Sequence, residues 1–543
     1  MRALEQFEIE SGAATGLELM ERAGQGVVKA VMKEWPDFDK KPHTALVLCG
    51  PGNNGGDGFV IARLLNGAGW TVRVHFYGAA DQLPADAKAN HDLWLTLGEV
   101  RPFDVEAIFS GVRPDLLVDA VFGIGLTRPL PDVVATALNV AEQKRWKNGQ
   151  EVKRLAVDCP SGLNLDTGYV EGDLEAVIES GDPWPQTLNT ADLTVTFHAP
   201  KLGHYLAIGP SVCKKLKTVD IGLGAQAVER AMIGQPPDAE RARLVEPAFA
   251  SSALPHKMWL SNVMAKPHLP GHKYDFGHVV VFSGGVGKGG AARLAARAAL
   301  RVGAGLVSVL CPPAALIENA ARLDAIMLRS LKKGQPLSEV ADRRVNGFCL
   351  GPGMGISGRT RELIAEVLGR RAGKYDLRDP VVVLDADALS CFADNPRDLF
   401  DQVHARTILT PHEGEFERLF PDLCGPARAK MSKVEAVRQA SRRAGCVILL
   451  KGPDTVIAEP NGGASVHAAL YDREVPWLAT AGAGDVLAGM ITGLAAAQTS
   501  GDLFCVAELA AYLHVECARS FGPGLIAEDL SEELPKVFRQ LGL

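Results

Sequence analysis

The stretch HTALVLCGPGNNGGDGFVIARLLNGAGWTVRVHFYG, residues 43–78, contains the unit from which the fold is predicted. Its apolar runs at 43–50 and 70–78 are typical of buried strands, and residues 57–69 between them have a helical pattern. Two strands that are joined through a helix lie parallel and are connected by a right-handed crossover. The stretch therefore predicts an α/β fold around a parallel sheet.

The same alternation continues on both sides of a change in pattern. Residues 225–245 contain no strand-like run, so they are predicted to be a linker between domains 1–224 and 246–543. Further strand-like runs occur at 115–123, 153–162, 278–285, 305–312, 347–353, 380–389, 407–415 and 446–455. We therefore expect two three-layer α/β domains, with ligand sites at the carboxyl ends of the strands.

The composition excludes several classes of protein. The 543 residues carry 57 Lys+Arg and 64 Asp+Glu, and this net charge of −7 lacks the basic excess of a nucleic-acid binder. The ten cysteines form no CxxC pair and no zinc-type spacing, which favours reduced thiols. No secretory signal and no run of about 18 apolar residues is present, so a cytoplasmic protein without a membrane span is expected.

Polar residues follow three strands of the first half. Asn53, Asn54 and Asp57 lie in the glycine-rich turn GPGNNGGDG, where a helix N-terminus can bind a phosphate. Asp119 and Asp158 stand at the ends of two other predicted strands. A glycine-rich turn or a strand-end Asp is often only structural. Three polar strand ends in one half nevertheless favour a common site, whose hard oxygens could also hold an alkali cation.

In the second half, TAGAGDVLAGMITG (480–493) places a Gly-Ala-Gly-Asp turn at the start of a helix. Backbone N–H groups at 482–484 can then form an anion hole beside Asp485. In the ribokinase-like superfold this arrangement serves phosphoryl transfer, with the Asp taking a proton from the attacking hydroxyl. The alternative is an ordinary helix cap.

Other strand ends of the second half carry further polar motifs. Lys451 begins KGPDT, where it can contact a phosphate, and His412 lies in TPHEGE, where a substrate contact is favoured. Asp385 and Asp387 in DADAL are open between charge placement and capping.

The motifs of residues 1–224 resemble the YjeF N-terminal family, the NAD(P)H-hydrate epimerases. The strings that carry the resemblance are GLELMERAG (16–24), NNGGDG (53–58), VDAVFGIGLTRP (118–129), AVDCPSGLN (156–164) and ADLTVTFHAPKLG (191–203). The resemblance implies a Rossmann-like domain, a potassium ion held by Asn54, Asp119 and Ser161, and a role for Asp158 at the nicotinamide ring. It also implies contacts to the hydrated dinucleotide from Asn53, Asn54, Gly55, Gly56, Asp57, Gly123, Ile124, Gly125, Leu126, Thr127, Arg128, Pro129 and Asp158. The segment 169–190 is longer than is usual in that family.

Residues 255–543 resemble the ADP-dependent NAD(P)H-hydrate dehydratases, which are ribokinase-like. The resemblance rests on TAGAGD together with KGPDT, DADAL, TPHEGE and GPGMG (351–355). It implies contacts to the hydrate from Ala291, Gly353, His412 and Asp485, and contacts to ADP or AMP from Lys451, Gly452, Pro453, Asp454, Thr455 and Gly484. Mg²⁺ is expected to accompany the ADP. Two departures are Glu413, where Pro commonly follows the His, and Lys288-Gly289, which replaces a commoner aromatic-Thr pair.

Together the two resemblances imply a bifunctional enzyme that repairs NADH-hydrate and NADPH-hydrate. Asp158 and Asp485 are the expected catalytic residues, and the resemblance suggests a homo-oligomer. One alternative is a ribokinase-like small-molecule kinase of the hydroxymethyl or thiazole type, fused to a YjeF binding domain. Another is a scaffold of RNA decay, which the intact NNGGD and Asp158 and the absence of a low-complexity tail disfavour. The sequence leaves the preference between the two hydrates open.

Overall fold

A computed structural model shows two compact units, one built from Met1–Ala239 and the other from Glu240–Arg428 and Lys433–Leu543. The structure describes residues 2–110, 113–126, 128–143, 152–170, 189–224, 242–245, 272–341, 343–370, 379–425, 431–497 and 502–542.

The first unit contains a seven-stranded sheet in which every strand pairs in parallel. Its order is β3-β2-β1-β4-β5-β6-β7. The strands are β1 Thr44–Cys49, β2 Thr71–Phe76, β3 Val100–Pro102, β4 Leu116–Ala120, β5 Lys153–Val157, β6 Leu193–Phe197 and β7 Leu216–Val219. The predicted parallel sheet is confirmed.

Helices cover both faces of this sheet. They are α1 Arg2–Glu10, α2 Gly16–Glu34, α3 Asn53–Gly67, α4 Ala85–Leu95, α5 Val105–Phe109, α6 Asp132–Gln143 and α7 Gly209–Cys213. Successive side chains of a strand point to opposite faces. Val47 accordingly packs in one core with α2, α3 and α4, whereas Leu46 and Leu48 pack in another with α5 and α6. The predicted three layers are therefore present.

The second unit contains a ten-stranded sheet in the order β11-β10-β9-β12-β13-β14-β15-β16-β17-β8. Its strands are β8 Arg243–Leu244, β9 His278–Phe282, β10 Leu306–Cys311, β11 Met327–Ser330, β12 Gly347–Leu350, β13 Val381–Leu384, β14 Thr407–Leu409, β15 Val447–Leu450, β16 Asp454–Ala458 and β17 Ala464–Ala468. The sheet is parallel from β11 to β15, and β16 pairs antiparallel with both β15 and β17. The sequence did not predict this antiparallel edge.

One strand lies inside the predicted linker. Arg243 and Leu244 form β8, which pairs in parallel with Ser465 and Val466 of β17. The predicted linker, 225–245, therefore includes two residues that belong to the second sheet. A pair of residues is too short to produce a recognisable apolar run, and the strand exists because β17 offers it an edge.

Helices also cover both faces of the second sheet. They are α8 Gly290–Arg301, α9 Leu316–Ala320, α10 Gly358–Leu368, α11 Asp387–Ser390, α12 Arg397–Phe400, α13 Glu413–Leu419, α14 Lys433–Ala444, α15 Ala483–Ala497, α16 Leu503–Phe521 and α17 Ala527–Leu541. Val279 and Val281 belong to a core shared with α8, α15, α16 and α17, and the alternate residues Val280 and Phe282 are buried as well. A Cβ added at Gly489 would lie 2.1 Å from Ala295 O, so glycine lets α15 pack closely on α8.

Each sheet has a point where the strand order reverses. In the first sheet it lies between β1 and β4, and in the second between β9 and β12. Loops leave opposite faces of the sheet at such a point and open a crevice outside the carboxyl ends of the strands. None of the helices in the described ranges is long and apolar enough to cross a membrane.

Candidate functional site

A cleft of 480 Å³ opens in the first unit at the carboxyl ends of β1 and β4. Eight of the residues predicted to contact the hydrated dinucleotide line it, namely Asn53, Asn54, Asp57, Gly123, Ile124, Gly125, Leu126 and Asp158. Five others do not line it or cannot be placed. Arg128 and Pro129 lie outside its lining, Gly55 and Gly56 are buried in α3, and Thr127 lies outside the described residues.

The helix α3 begins at Asn53, four residues before the predicted start at 57. Gly52 precedes it in an extended conformation, and a Cβ added at Gly55 would lie 1.9 Å from Gly50 O. The glycines therefore permit the first helical turn to pack against the end of β1. Because the first N–H groups of a helix have no intrahelical acceptor, Asn53 and Asn54 carry donors at the cleft.

Asp158 follows β5 with a left-handed backbone (φ 66°) and is buried at the base of the cleft. Its Oδ1 accepts hydrogen bonds from Lys201 Nζ and Thr196 Oγ1, each at 2.8 Å, and its Oδ2 accepts one from Ile124 N at 3.3 Å. Burial acts to raise the pKa of this carboxyl, but the Lys201 ammonium and the Thr196 hydroxyl outweigh it. The pKa of Asp158 is therefore lowered, which favours a carboxylate.

Asp57 lines the same cleft, but its surroundings shift its pKa in the opposite direction from that of Asp158. Among the described residues no side chain or backbone group donates a hydrogen bond to it, and it is 9% exposed. Burial, together with the negative charges of Asp158 and Glu5, raises the pKa of Asp57 well above its usual range. The cleft thus contains one carboxyl whose lowered pKa favours accepting a proton and one whose raised pKa favours donating a proton.

Asp119 and Ser161 lie together beside this cleft. Asp119 accepts hydrogen bonds from Ser161 Oγ at 2.6 Å, Ser161 N at 2.8 Å and Asn189 Nδ2 at 2.6 Å. Its pKa is raised by burial, and no cationic side chain of the described residues pairs with it. Asn54 contributes an amide whose Nδ2 is buried without a partner. The three predicted potassium ligands thus supply hard oxygens. One of these ligands is a buried carboxyl that has no cationic side chain beside it among the described residues.

In the second unit, a pocket of 530 Å³ lies beside the start of α15. Six of the predicted ligand contacts line it, namely His412, Lys451, Gly452, Pro453, Thr455 and Gly484. Asp454, the remaining predicted nucleotide contact, is outside the lining because its carboxylate pairs with the buried Lys433 at 2.7 Å. Most of the other walls are apolar.

Lys451 is the cation at the polar end of this pocket. Its Nζ lies 2.5 Å from Asp385 Oδ1 and 4.0 Å from Glu415 Oε2, and a Cβ added at Gly484 would lie 3.4 Å from it. The ammonium therefore stands over the first turn of α15, where a phosphate would also be attracted. Asp387 instead holds the loop after β12, since its Oδ2 accepts a hydrogen bond from Gly355 N at 2.8 Å.

Asp485 lies in the first turn of α15. Burial and the neighbouring charge of Asp385 raise the pKa of this carboxyl to about 6, although the Lys451 ammonium acts to lower it. An acid with a pKa near neutrality is suited to general-base catalysis because it is both ionised and basic at working pH.

The remaining predicted hydrate contacts lie at the reversal of strand order. A Cβ added at Gly353 (φ 68°) would lie 3.6 Å from Ala291 Cβ, so these two residues are neighbours. His412 caps α13, with Nδ1 accepting from Gly414 N at 3.0 Å, and it also lines the 530 Å³ pocket.

Comparison with known proteins identifies the family. A family model described as YjeF-related protein N-terminus matches residues 16–203, and one described as NAD(P)H-hydrate dehydratase matches residues 279–536. The bifunctional NAD(P)H-hydrate repair enzyme Nnr of Coxiella burnetii is 33% identical over 98% of this chain and 97% of its own length. The chain belongs to the family of bifunctional NAD(P)H-hydrate repair enzymes. The relative of the same name from Escherichia coli is 31% identical over 98% of this chain and 92% of its own length.

Other proteins match single units of this repair enzyme. The NAD(P)H-hydrate epimerase of Roseobacter litoralis is 45% identical over 41% of the chain and 96% of its own length. A solved structure of the ADP/ATP-dependent NAD(P)H-hydrate dehydratase from Bacillus subtilis, co-crystallised with ATP/Mg²⁺, is 25% identical with a TM-score of 0.42. It covers 52% of this chain and 96% of that chain.

Several residues of the repair enzyme's sites were not singled out from the sequence. Thr196 and Lys201 lie within the motif ADLTVTFHAPKLG but were not assigned a role. Because β6 neighbours β5 in the sheet, polar residues near the end of β6 and after it are brought to Asp158, and this adjacency is the signal that could have identified them. Glu415, which lies 4.0 Å from Lys451, was likewise quoted only as part of a motif.

Proposed function

We propose that the first unit interconverts the R and S forms of NADH-hydrate and NADPH-hydrate, and that the second unit dehydrates the S form with ADP. The observation that carries the proposal is the position of Asp485, a carboxyl with a pKa of about 6 in the first turn of α15, where Lys451 also stands. This geometry suits activation of a hydroxyl next to a bound phosphate.

In the first unit, epimerisation requires the stereochemical configuration at C6 to be lost and then formed again. The ring nitrogen can stabilise a cation at C6 when the hydroxyl leaves as water. Alternatively the C6–N1 bond breaks, the hydroxyl proton passes to the nitrogen, and C6 becomes an aldehyde that recloses on its other face. Asp57 is the group that would donate the proton to the leaving hydroxyl, and ionised Asp158 would accept a proton from the water that returns. The Lys201 ammonium favours the ionised form of Asp158 before that step. Return of the proton from Asp158 to Asp57 then restores the starting state.

The donor set of Asn54, Asp119 and Ser161 fits a potassium ion. Its oxygens are hard ligands, and Asp119 is a buried carboxyl with no cationic partner among the described residues. A bound monovalent cation would supply the missing positive charge and would order the loops after β4 and β5. These loops position Ile124, whose N–H donates to Asp158.

In the second unit, Asp485 would take the proton from the C6 hydroxyl of the S hydrate. The resulting oxygen attacks the β-phosphorus of ADP, the bond to the bridging oxygen breaks, and AMP leaves. The ring nitrogen then expels the phosphate from C6, loss of the C5 proton restores the double bond, and NADH or NADPH is formed. Lys451 and the N–H groups of the first turn of α15 would stabilise the phosphate charge.

Mg²⁺ would enter with the nucleotide. The described residues contain no group of three or more His, Cys, Asp or Glu that could hold a metal ion. A magnesium ion bound mainly through phosphates and water is consistent with that arrangement. Asp385, which lies beside Lys451, would be the carboxylate to hold the hydrated ion, and the ion would supply positive charge to the phosphates. Association into a homo-oligomer stays a prediction from the family resemblance.

The test uses the whole enzyme with a mixture of R and S hydrates. With ADP, the near-ultraviolet absorbance of the dihydronicotinamide should recover fully, because the first unit converts R into S as S is consumed. Without ADP no absorbance should return. Recovery of only the S fraction would contradict the epimerase assignment, and a stable phosphorylated product from ATP and a vitamin precursor would instead support a small-molecule kinase.

A further inference from the structure

A buried histidine, His514 of α16, forms part of the wall of the nucleotide pocket. Its Nε2 lies 2.9 Å from the carbonyl oxygen of Ala483, the first residue of α15. A backbone carbonyl can only accept a hydrogen bond, so Nε2 must carry the hydrogen. Burial, with the Lys451 charge, lowers the pKa of His514 to about 4, and the ring is therefore neutral near pH 7.

The other ring nitrogen, Nδ1, is consequently an acceptor. No donor among the described residues reaches Nδ1. Nδ1 is also absent from the buried polar atoms that have no hydrogen-bond partner, so part of its surface is accessible. Because His514 is 7% exposed and lines the pocket, the open side of Nδ1 is the pocket. An acceptor in this position favours a ligand that brings a donor.

The surroundings of His514 suit a flat, apolar ring. Ala511 and Val515 share its helix face, and Leu487 of α15 and Val475 line the same pocket. The charged and anion-binding groups, Lys451 and the first turn of α15, provide the place for phosphates. A nucleotide that puts its phosphates there therefore turns its base towards the apolar walls.

We propose that His514 Nδ1 accepts a hydrogen bond from the exocyclic amine of adenine and so selects adenine nucleotides. Guanine and hypoxanthine carry a carbonyl oxygen at the same ring position, and that oxygen would face the Nδ1 lone pair. The proposal rests on the proposed function only in taking this pocket as the nucleotide site. His514 is thus a specificity-determining residue with no part in proton transfer to the hydrate.

The test compares the binding of ADP, IDP and 2′-deoxy-ADP by calorimetry in the full chain. In the wild type, ADP should bind about 10- to 100-fold more tightly than IDP, the effect of one unmatched buried polar contact. In His514→Gln, the amide nitrogen can still donate to Ala483 O but the Nδ1 acceptor is gone, so the preference should fall to about 3-fold or less. His514→Asn keeps an acceptor near Nδ1 and should retain the preference.

The control is His278→Gln. His278 is a buried histidine at the amino end of β9 that contacts Ser308 Oγ at 2.9 Å, and its replacement should leave the preference unchanged. Equal binding of ADP and IDP by the wild type, or a full preference in His514→Gln, would overturn the proposal. A third result would have the wild type bind 2′-deoxy-ADP more weakly than ADP while His514→Gln binds the two equally. That result would also overturn the proposal, because the donor to Nδ1 would then be the ribose hydroxyl. A preference for ADP without any ADP-driven dehydration would count against the proposed function alone.

Discussion

Lys201 Nζ lies 2.8 Å from Asp158 Oδ1, and both side chains are largely buried. Two neighbouring parallel strands produce this ion pair, since Asp158 follows β5 and Lys201 comes after β6. The pair places a carboxylate in the cleft despite its burial.

Replacing Lys201 by Met should raise the pKa of Asp158, because burial would then act without the opposing ammonium. We expect at least a tenfold loss of epimerisation near neutral pH and a shift of the pH–rate profile to higher pH. The rate of R–S exchange against pH measures both. Lys201→Arg should retain the profile, and Lys214→Met, which removes an exposed ion pair with Asp192, is the matched control. An unshifted profile in Lys201→Met would contradict the role given to the pair.

The activities of the two units should be separable by mutating one proposed catalytic carboxyl in each. Asp158→Asn should lower R–S exchange by about 10²- to 10⁴-fold, the usual contribution of acid–base catalysis, and leave ADP-dependent dehydration of S hydrate intact. Asp485→Asn should do the reverse. Each variant is assayed for both activities by chromatography of the hydrates and by recovery of absorbance. A variant that lost neither activity would remove that residue from the mechanism.

The raised pKa of Asp485 predicts the direction in which stability and dehydration change with pH. Its pKa of about 6 in the folded protein exceeds the ordinary aspartate pKa of 3.8, so binding the proton stabilises the folded state. That contribution is present below the unfolded pKa and is lost as pH rises through about 6, while dehydration should increase over the same range.

Asp485→Asn should therefore be inactive in dehydration yet more stable than the wild type at about pH 8, by on the order of 1–3 kcal/mol. At about pH 4 the two proteins should differ little. Thermal unfolding of the second unit at the two pH values is the measurement. Lower stability of the variant at the higher pH would show that the carboxylate is stabilised by the fold, contrary to the charge environment described.

Gly123 is predicted to be required for its small size. An added Cβ would lie 3.2 Å from both Asn54 Oδ1 and Asp158 Oδ2, so Gly123→Ala should displace one of them and reduce epimerisation by about tenfold or more. Gly67→Ala, at a position with nothing within 4 Å of the new Cβ, is the control. Equal exchange rates in the two variants would mean that the cleft tolerates the extra methyl group.

The sequence predicted those features that arise from local pattern. The alternation of apolar runs predicted the parallel sheets, and polar residues at strand ends predicted the positions of Asp158, Asp119 and Lys451. The start of α3 was placed four residues late because NNGGD has low helix propensity, and tertiary packing of Gly55 on Gly50 overrides it.

Features that depend on distant pairing could not be predicted in this way. Lys201 pairs with Asp158 across 43 positions of the chain, and Lys451 pairs with Asp385 across 66. Nothing local in DADAL distinguishes Asp385, which pairs with a lysine, from Asp387, which accepts a hydrogen bond from the loop residue Gly355. Only the sheet order brings the partners together.

The two residues of β8 determine where the chain can be cut to obtain the second unit alone. A fragment beginning at residue 246, the predicted domain boundary, would lack Arg243 and Leu244 and would expose the unpaired edge of β17. It would also lose the Arg243 guanidinium, whose Nε lies 3.2 Å from the buried carboxyl of Glu508. Two residues that the sequence pattern assigns to the linker thus belong to the second unit. A separately expressed second unit must include them.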